Sequence, residues 1–142
     1  GYFVFFVRKH DAGRRLIVLR SDKILTTSYM DRVSVQARIK DAAEIYALLD
    51  RYGTRFVVIE DRPSGSDELD WLREEVKGDR FIERERIPIG TRDRRLQHVD
   101  LAIYEYKDAK PGDPNAELDM ELPLVDREIR VKLSDLQPPS AP

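Results

Sequence analysis

Between residues 41 and 76 the spacing of apolar positions changes from helical to extended and back to helical. Ala42, Ile45, Leu49 and Tyr52 recur every three to four residues, which predicts a helix. Asp41 and Glu44 stand in the capping-box relation at its start, able to satisfy free N–H groups of the first turn. Gly53 follows where a left-handed terminal residue is expected. Thr54 to Ile59 is a β-branched and aromatic run too short for a helix and apolar on both faces, which predicts a central strand covered from both sides. Ser64 and Asp67 frame a second capping box, and Leu69, Leu72 and Val76 form the next helical stripe.

On either side the pattern is less uniform. Tyr2 to His10 fits a helix through Tyr2, Phe3, Phe6 and Val7, and fits a buried strand equally well. Leu16 to Leu19 reads as a short buried strand, and residues 20 to 39 as a connection carrying at most one short strand. Phe81 to Ile89 and Val99 to Tyr106 read as two strands joined by GTRDRRLQH, an antiparallel hairpin at the edge of the sheet. In the second, Leu101 and Ile103 share one face, while Ala102, Tyr104 and Tyr106 share the other. Both faces are expected to be covered.

The last segment alternates strictly. Leu118, Met120, Leu122 and Leu124 alternate with acidic residues, then Ile129, Val131 and Leu133 alternate with Glu128, Arg130 and Lys132. A hairpin closed around Val125 and Asp126 pairs Leu122 with Ile129, Met120 with Val131 and Leu118 with Leu133. The same register sets Glu121 opposite Arg130 and Asp119 opposite Lys132. Cross-strand pairs of this kind contribute roughly 0.2–1 kcal/mol each. The six apolar residues are expected to share one buried face.

These elements predict an α/β fold: a three-layer sandwich with a mixed sheet and a C-terminal β-hairpin. The expected organisation is an α/β domain over 1–106, a linker over 107–116, a hairpin over 117–134 packed on the same domain, and a disordered Pro-rich tail over 135–142. A chain of 142 residues suffices for one such core.

Charge narrows the functional classes. Basic and acidic residues number 25 and 27, a net charge of −2, whereas nucleic-acid-binding domains are strongly basic. No nucleic acid is expected as partner. The absence of cysteine excludes disulfides and thiolate metal sites. No run of 18 apolar residues is present to form a membrane span. The start at Gly1, directly into YFVFFV, suggests a domain excised from a longer protein.

Two segments are candidates for binding. Glu60, Asp61, Arg62, Ser64, Gly65 and Ser66 lie between a strand and a helix, where anions favour strand ends and helix N-termini. The competing reading is an ordinary turn that caps the helix, since neither a P-loop lysine nor a GxGxxG pattern is present. Arg84, Arg86, Arg92, Arg94 and Arg95 form a local basic patch that could meet lipid or polyprenyl phosphates, or simply be a solvated hairpin. His10-Asp11 and His98-x-Asp100 are pairs able to orient an imidazole, but no third ligand or nucleophile accompanies them. No catalytic residue, metal site or cofactor is predicted.

The phrases FVFFVRKHDAGRRLIVLRSDK, DRYGTRFVVIED, VDLAIYEYKD and MELPLVDREIRVKLSDL resemble the soluble C-terminal domain of bacterial membrane glycosyltransferases of the aminoarabinose-transferase and protein-mannosyltransferase type. The resemblance implies an accessory domain on the extracytoplasmic side of a membrane, tethered by a segment outside this chain. It implies that catalysis belongs to a membrane portion holding the polyprenyl-phosphate sugar. The expected partners are that membrane portion, a polyprenyl-phosphate sugar or an anionic lipid. The rival expectations are a protein-interaction module and a domain binding a small anionic ligand through the 60–66 loop.

Overall fold

The computed structural model describes all residues except 1–6, 8, 14–15, 29–34, 63–64, 92, 95–96, 123–126 and 137–142; at 27–28, 35–36, 120–122 and 127–128 it describes the backbone alone. The order of elements is α1 (Ser21–Ile24), β1 (Thr26–Ser28), β2 (Val35–Ala37), α2 (Ala43–Tyr52), β3 (Phe56–Glu60), α3 (Asp67–Glu75), β4 (Phe81–Pro88), β5 (Asp100–Tyr106), β6 (Glu117–Leu122), β7 (Arg127–Lys132) and α4 (Leu133–Leu136). The fold is α/β. The chain divides into two compact units, one formed by 39–112 and the other by 1–38 together with 113–142.

In the 39–112 unit, α2 begins as its sequence dictates. The Asp41 carboxylate accepts the Glu44 N–H at 3.2 Å, and the Glu44 carboxylate accepts the N–H of Lys40 at 3.0 Å, one residue earlier than the usual capping box returns its bond. Ile45 and Leu49 form its buried stripe. Gly53 ends it with φ 61° and ψ 39°, the left-handed conformation glycine adopts without strain. The backbone of Gly112 crosses here so closely that a Cβ on Gly53 would lie 2.4 Å from the Gly112 nitrogen. Helix α3 starts two residues later than the expected Ser64–Asp67 box requires. Ser66 is the N-cap and Asp67 the first helical residue, and Ser64 lies outside the described residues.

The sheet of this unit has the order β3-β5-β4, so β5 is central and β3 is an edge, not the central strand expected from its apolar run. Among the described residues every ladder is antiparallel, and the parallel component of a mixed sheet is not found there. An apolar strand reports how much of it is buried, not which neighbours it has. Val57, Ile59, Ala102, Tyr104, Tyr106 and Phe81 are buried on one face of the sheet. The opposite face is not covered as expected: Phe56, Ile82 and Ile87 are exposed, and Val58, Leu101 and Ile103 half-buried. Between Glu83 and Glu85 the β4–β5 register shifts, leaving Arg84 as the extra residue of a bulge.

The second unit differs from its expectation in several places. Leu16 to Leu19 is irregular, with Leu16 exposed and 17–19 half-buried, because the run finds no ladder partner. The supposed connection over 20–39 holds α1 and the antiparallel pair β1–β2, whose polar sequences TTS and VQA carry no periodic signal. Val7, Lys9 and His10 are helical; the rest of the opening apolar run lies outside the described residues.

The terminal hairpin forms, but two residues out of the expected register. Met120 faces Ile129, Leu118 faces Val131, and Asp119 faces Arg130. The strand β6 stops at Leu122, directly before Pro123, which has no N–H to give a ladder. The expected register carries the ladder through Pro123; the observed one leaves it outside. A slip of two preserves which side chains share a face. Burial along that face is uneven, however: Leu118 is buried, Val131 half-buried and Ile129 exposed. Leu133 leaves the ladder to begin α4, buried, with its N–H bonded to the Ala116 carbonyl at 2.8 Å. Arg38 ties the hairpin to β1 and β2 by donating to the Asp119 carbonyl at 2.8 Å.

Candidate functional site

The carboxyl end of β3 brings together residues that the sequence presents as two separate candidates. Arg86, from the supposed basic patch on β4, donates to the Asp61 carboxylate in the loop after β3 in a short hydrogen bond. It also donates to Glu83 at 2.9 and 3.0 Å and lies 3.9 Å from Asp100. Within the loop, Arg62 folds back on Glu60 at 2.7 Å, and the Asp61 N–H binds the Asp100 carbonyl at 2.9 Å. From α3, Arg73 donates to the Glu60 carbonyl at 3.1 Å and to Asp70 at 3.0 Å. Gly65 takes a left-handed φ of 76° on the exposed side of the loop. The Ser66 hydroxyl donates to the Glu68 carboxylate at 2.5 Å.

This arrangement is a salt-bridge cluster. Arg62, Arg73 and Arg86 face Glu60, Asp61, Asp70, Glu83 and Asp100, so the described charges sum to a negative value. The Arg86 guanidinium beside Glu83 holds that carboxyl below its usual range, with the Tyr104 hydroxyl, 2.9 Å away, as a second donor. Such a cluster ties the loop to β4, and Arg73 ties the end of β3 to α3. Of the remaining patch, Arg84 is taken up by Glu105 at 2.5 Å and Arg94 is exposed; Arg92 and Arg95 lie outside the described residues, as does Ser64.

On the open face of the sheet, Glu105 sits between Arg84 and Arg55, the latter at 3.2 Å, and both guanidinium groups hold its carboxyl below the usual range, Arg84 most strongly. Exposed Phe56 and Ile82 stand opposite Glu105 on the two neighbouring strands, and exposed Ile87 lies farther along the same face, opposite Leu101. Phe56 lies beneath the Arg55 guanidinium, 5.1 Å from the ring centre. The result is a face with exposed apolar side chains and an ion-paired trio at the end of the sheet marked by Glu105.

A third cluster was not legible in the sequence. Arg80 lies 4.0 Å above the ring of Tyr46 and 5.3 Å from that of Tyr106, donates to the Tyr106 hydroxyl at 2.7 Å, and pairs with Asp108 at 2.8 Å. Phe81 packs with Tyr106 at 5.2 Å between ring centres. Tyr46 donates a short hydrogen bond to Glu75. Burial, reinforced by that carboxylate, pushes the Tyr46 hydroxyl up to about 12. The partners are distant in sequence, and only the alternation that buries Tyr106 hinted at any of it.

His10 and His98 are both exposed, and His98 lies in a turn before β5 and not on the strand. Among the described residues no three His, Cys, Asp or Glu side chains converge to hold a metal ion, and no helix is long and apolar enough to cross a membrane. No protein-family model, curated protein or solved structure matches the chain.

Proposed function

We propose that the chain is an accessory extracytoplasmic domain of a membrane glycosyltransferase of the aminoarabinose-transferase or protein-mannosyltransferase type, aiding substrate access or acceptor binding. In this reading the sugar-transfer chemistry resides in a membrane portion of the same parent protein, and this domain contributes a docking surface. The observation that carries it is the open sheet face, where Phe56, Ile82 and Ile87 are 48, 38 and 41% exposed on the same face as the Arg55–Glu105–Arg84 trio. Exposed apolar side chains gathered on one face are a feature of sites that meet another polypeptide or a membrane. The resemblance of the quoted phrases supplies the class of parent protein.

The same face favours a second reading, a free-standing protein-interaction module. A small anionic ligand held by the 60–66 loop is a weaker alternative, since carboxylates outnumber arginines there. The genomic sequence upstream of Gly1 separates the first two. Repeated hydrophobic spans are expected, and a start codon or signal peptide immediately upstream overturns the membrane-enzyme reading. In the parent protein, Phe56→Glu should lower transfer activity while leaving the thermal melt of the domain unchanged. Full activity in that variant removes the docking role.

A further inference from the structure

Among the described residues, strand β4 is an eight-residue edge strand whose residues 82–88 are all exposed. Alternating charges, a bulge and a proline ordinarily protect such an edge from pairing. Here the charges have a further property. Residues 82–87 read Ile-Glu-Arg-Glu-Arg-Ile, a string that, laid antiparallel on itself, sets Glu83 opposite Arg86, Arg84 opposite Glu85 and Ile82 opposite Ile87. Slipping by one residue sets Glu83 opposite Glu85 and Arg84 opposite itself, so like charges meet and that register is refused.

The backbone agrees with the same register. The Ile89 N–H bonds to the Val99 carbonyl and the Lys107 N–H to the Arg80 carbonyl, each marking an inward-facing pair of the β4–β5 ladder. Alternation from both ends, with the bulge at Arg84 absorbing the odd residue, turns the peptide groups of Glu83 and Arg86 away from β5. Pro88 also falls on the outward side, where it costs the β4–β5 ladder nothing but gives the seam no N–H, so the seam's backbone bonds rest on Glu83 and Arg86. The faces match as well. Ile82 and Ile87 oppose Glu105 and Leu101, and the bulge therefore puts both on the open face, whereas Glu83 and Arg86 oppose Tyr104 and Ala102 on the buried one. Glu85 has no ion pair among the described residues, and self-pairing would give it Arg84 of the second copy.

We propose that β4 is a dimerisation edge: it pairs antiparallel with β4 of a second copy of this chain, Glu83 opposite Arg86, and joins two three-stranded sheets into one of six strands. The seam brings Ile82 and Ile87 of the two copies together and makes their open faces continuous.

Sedimentation of the 142-residue chain from about 10 μM to 1 mM tests this. A concentration-dependent dimer is expected. Glu83→Arg and Arg86→Glu should each weaken it by roughly tenfold or more, since each sets two like-charged pairs across the seam. An equimolar mixture of the two variants should associate again, because every charged pair is then complementary. A wild-type chain that stays monomeric at the highest concentration overturns the proposal. So do variants that dimerise like the wild type, or folded variants whose mixture stays monomeric. Glu83 and Arg86 also bond to each other, so disulfide trapping at exposed positions provides a check that spares them. The chain has no cysteine of its own. Ile82→Cys mixed with Ile87→Cys should cross-link readily under mild oxidation, and either alone should not. Equal trapping in all three samples, or none in the mixture, also overturns the proposal.

Discussion

In the unit formed by 39–112, two helices and three strands bury a contiguous set of apolar residues, from Ile45, which is 1% exposed, through Tyr106, also 1%. Among the described residues of the unit formed by 1–38 and 113–142, Leu25, Thr26, Ala116, Leu118 and Leu133 are buried, and the strands pair as two-stranded ladders. An isolated two-stranded ladder is marginal in water. The second unit compensates with local ties: the Arg38 guanidinium on the Lys23 and Asp119 carbonyls, and the Thr26 hydroxyl on the Asp22 carbonyl at 2.8 Å. The described part of the first unit centres on one buried sheet face, and that of the second on ladders joined by directed bonds. They should therefore respond differently to the loss of a side chain.

The sharpest break is expected from Tyr106→Ala. Tyr106 is buried, stacks on Phe81 and anchors Arg80, so its loss should cost about 3–5 kcal/mol, read by urea unfolding. Next comes the hairpin of the other unit, where Leu118→Ala should cost about 2–4 kcal/mol and Ile129→Ala less than about 1 kcal/mol, although both lie on one face. Equal losses would mean that the face is covered throughout. Gly53→Ala should cost about 1–3 kcal/mol, because the added Cβ meets the Gly112 backbone and the residue is left-handed. Hydrogen exchange should localise that loss to α2 and the 107–112 segment.

The smallest effect is a pH dependence. The folded state holds the Tyr46 proton more tightly than the unfolded chain does, so the resulting stabilisation is complete below pH 10 and lost as the pH rises from 10 toward about 12. Thermal melts across that window should show a shallower alkaline decline in Tyr46→Phe than in the wild type. The slope that remains belongs to Tyr104 and Tyr106, whose hydroxyls are raised in the same direction by burial.

What could be read from the sequence follows the same division. Helix α2, its Asp41 cap, its Gly53 stop and the β4–β5 hairpin were all legible because each is a local pattern with a period matched to one element. The position of β3 at the sheet edge was not, since an apolar run does not name its neighbours. The hairpin register differs from the expected one by two residues because side-chain alternation is indifferent to a slip of two; the residue that separates the two registers is Pro123, which cannot donate to a ladder. The pair β1–β2 gave no signal in TTS and VQA. At the candidate site, the loop and the arginines were each identified, but the bond from Arg86 to Asp61 spans 25 residues and depends on strand order. Tyr46 and Glu75, 29 residues apart, meet for the same non-local reason.

The Arg38–Asp119 bond joins residues 81 positions apart and has a kinetic meaning beyond its strength. Everything between its two ends except the first few residues of the return is the 39–112 unit. For an unfolded excursion of that length, bringing the ends together costs roughly 4 kcal/mol of chain entropy. Once the 39–112 unit has condensed, the Gly53–Gly112 crossing already holds its exit close to the end of α2, within about one short helix of its entry. Most of that closure cost has then been met. The order of events is thereby biased: the inserted unit folds first, and the discontinuous unit assembles on a loop already closed for it. Mutations such as Gly53→Ala should consequently slow the formation of the β6–β7 unit, although they lie outside it.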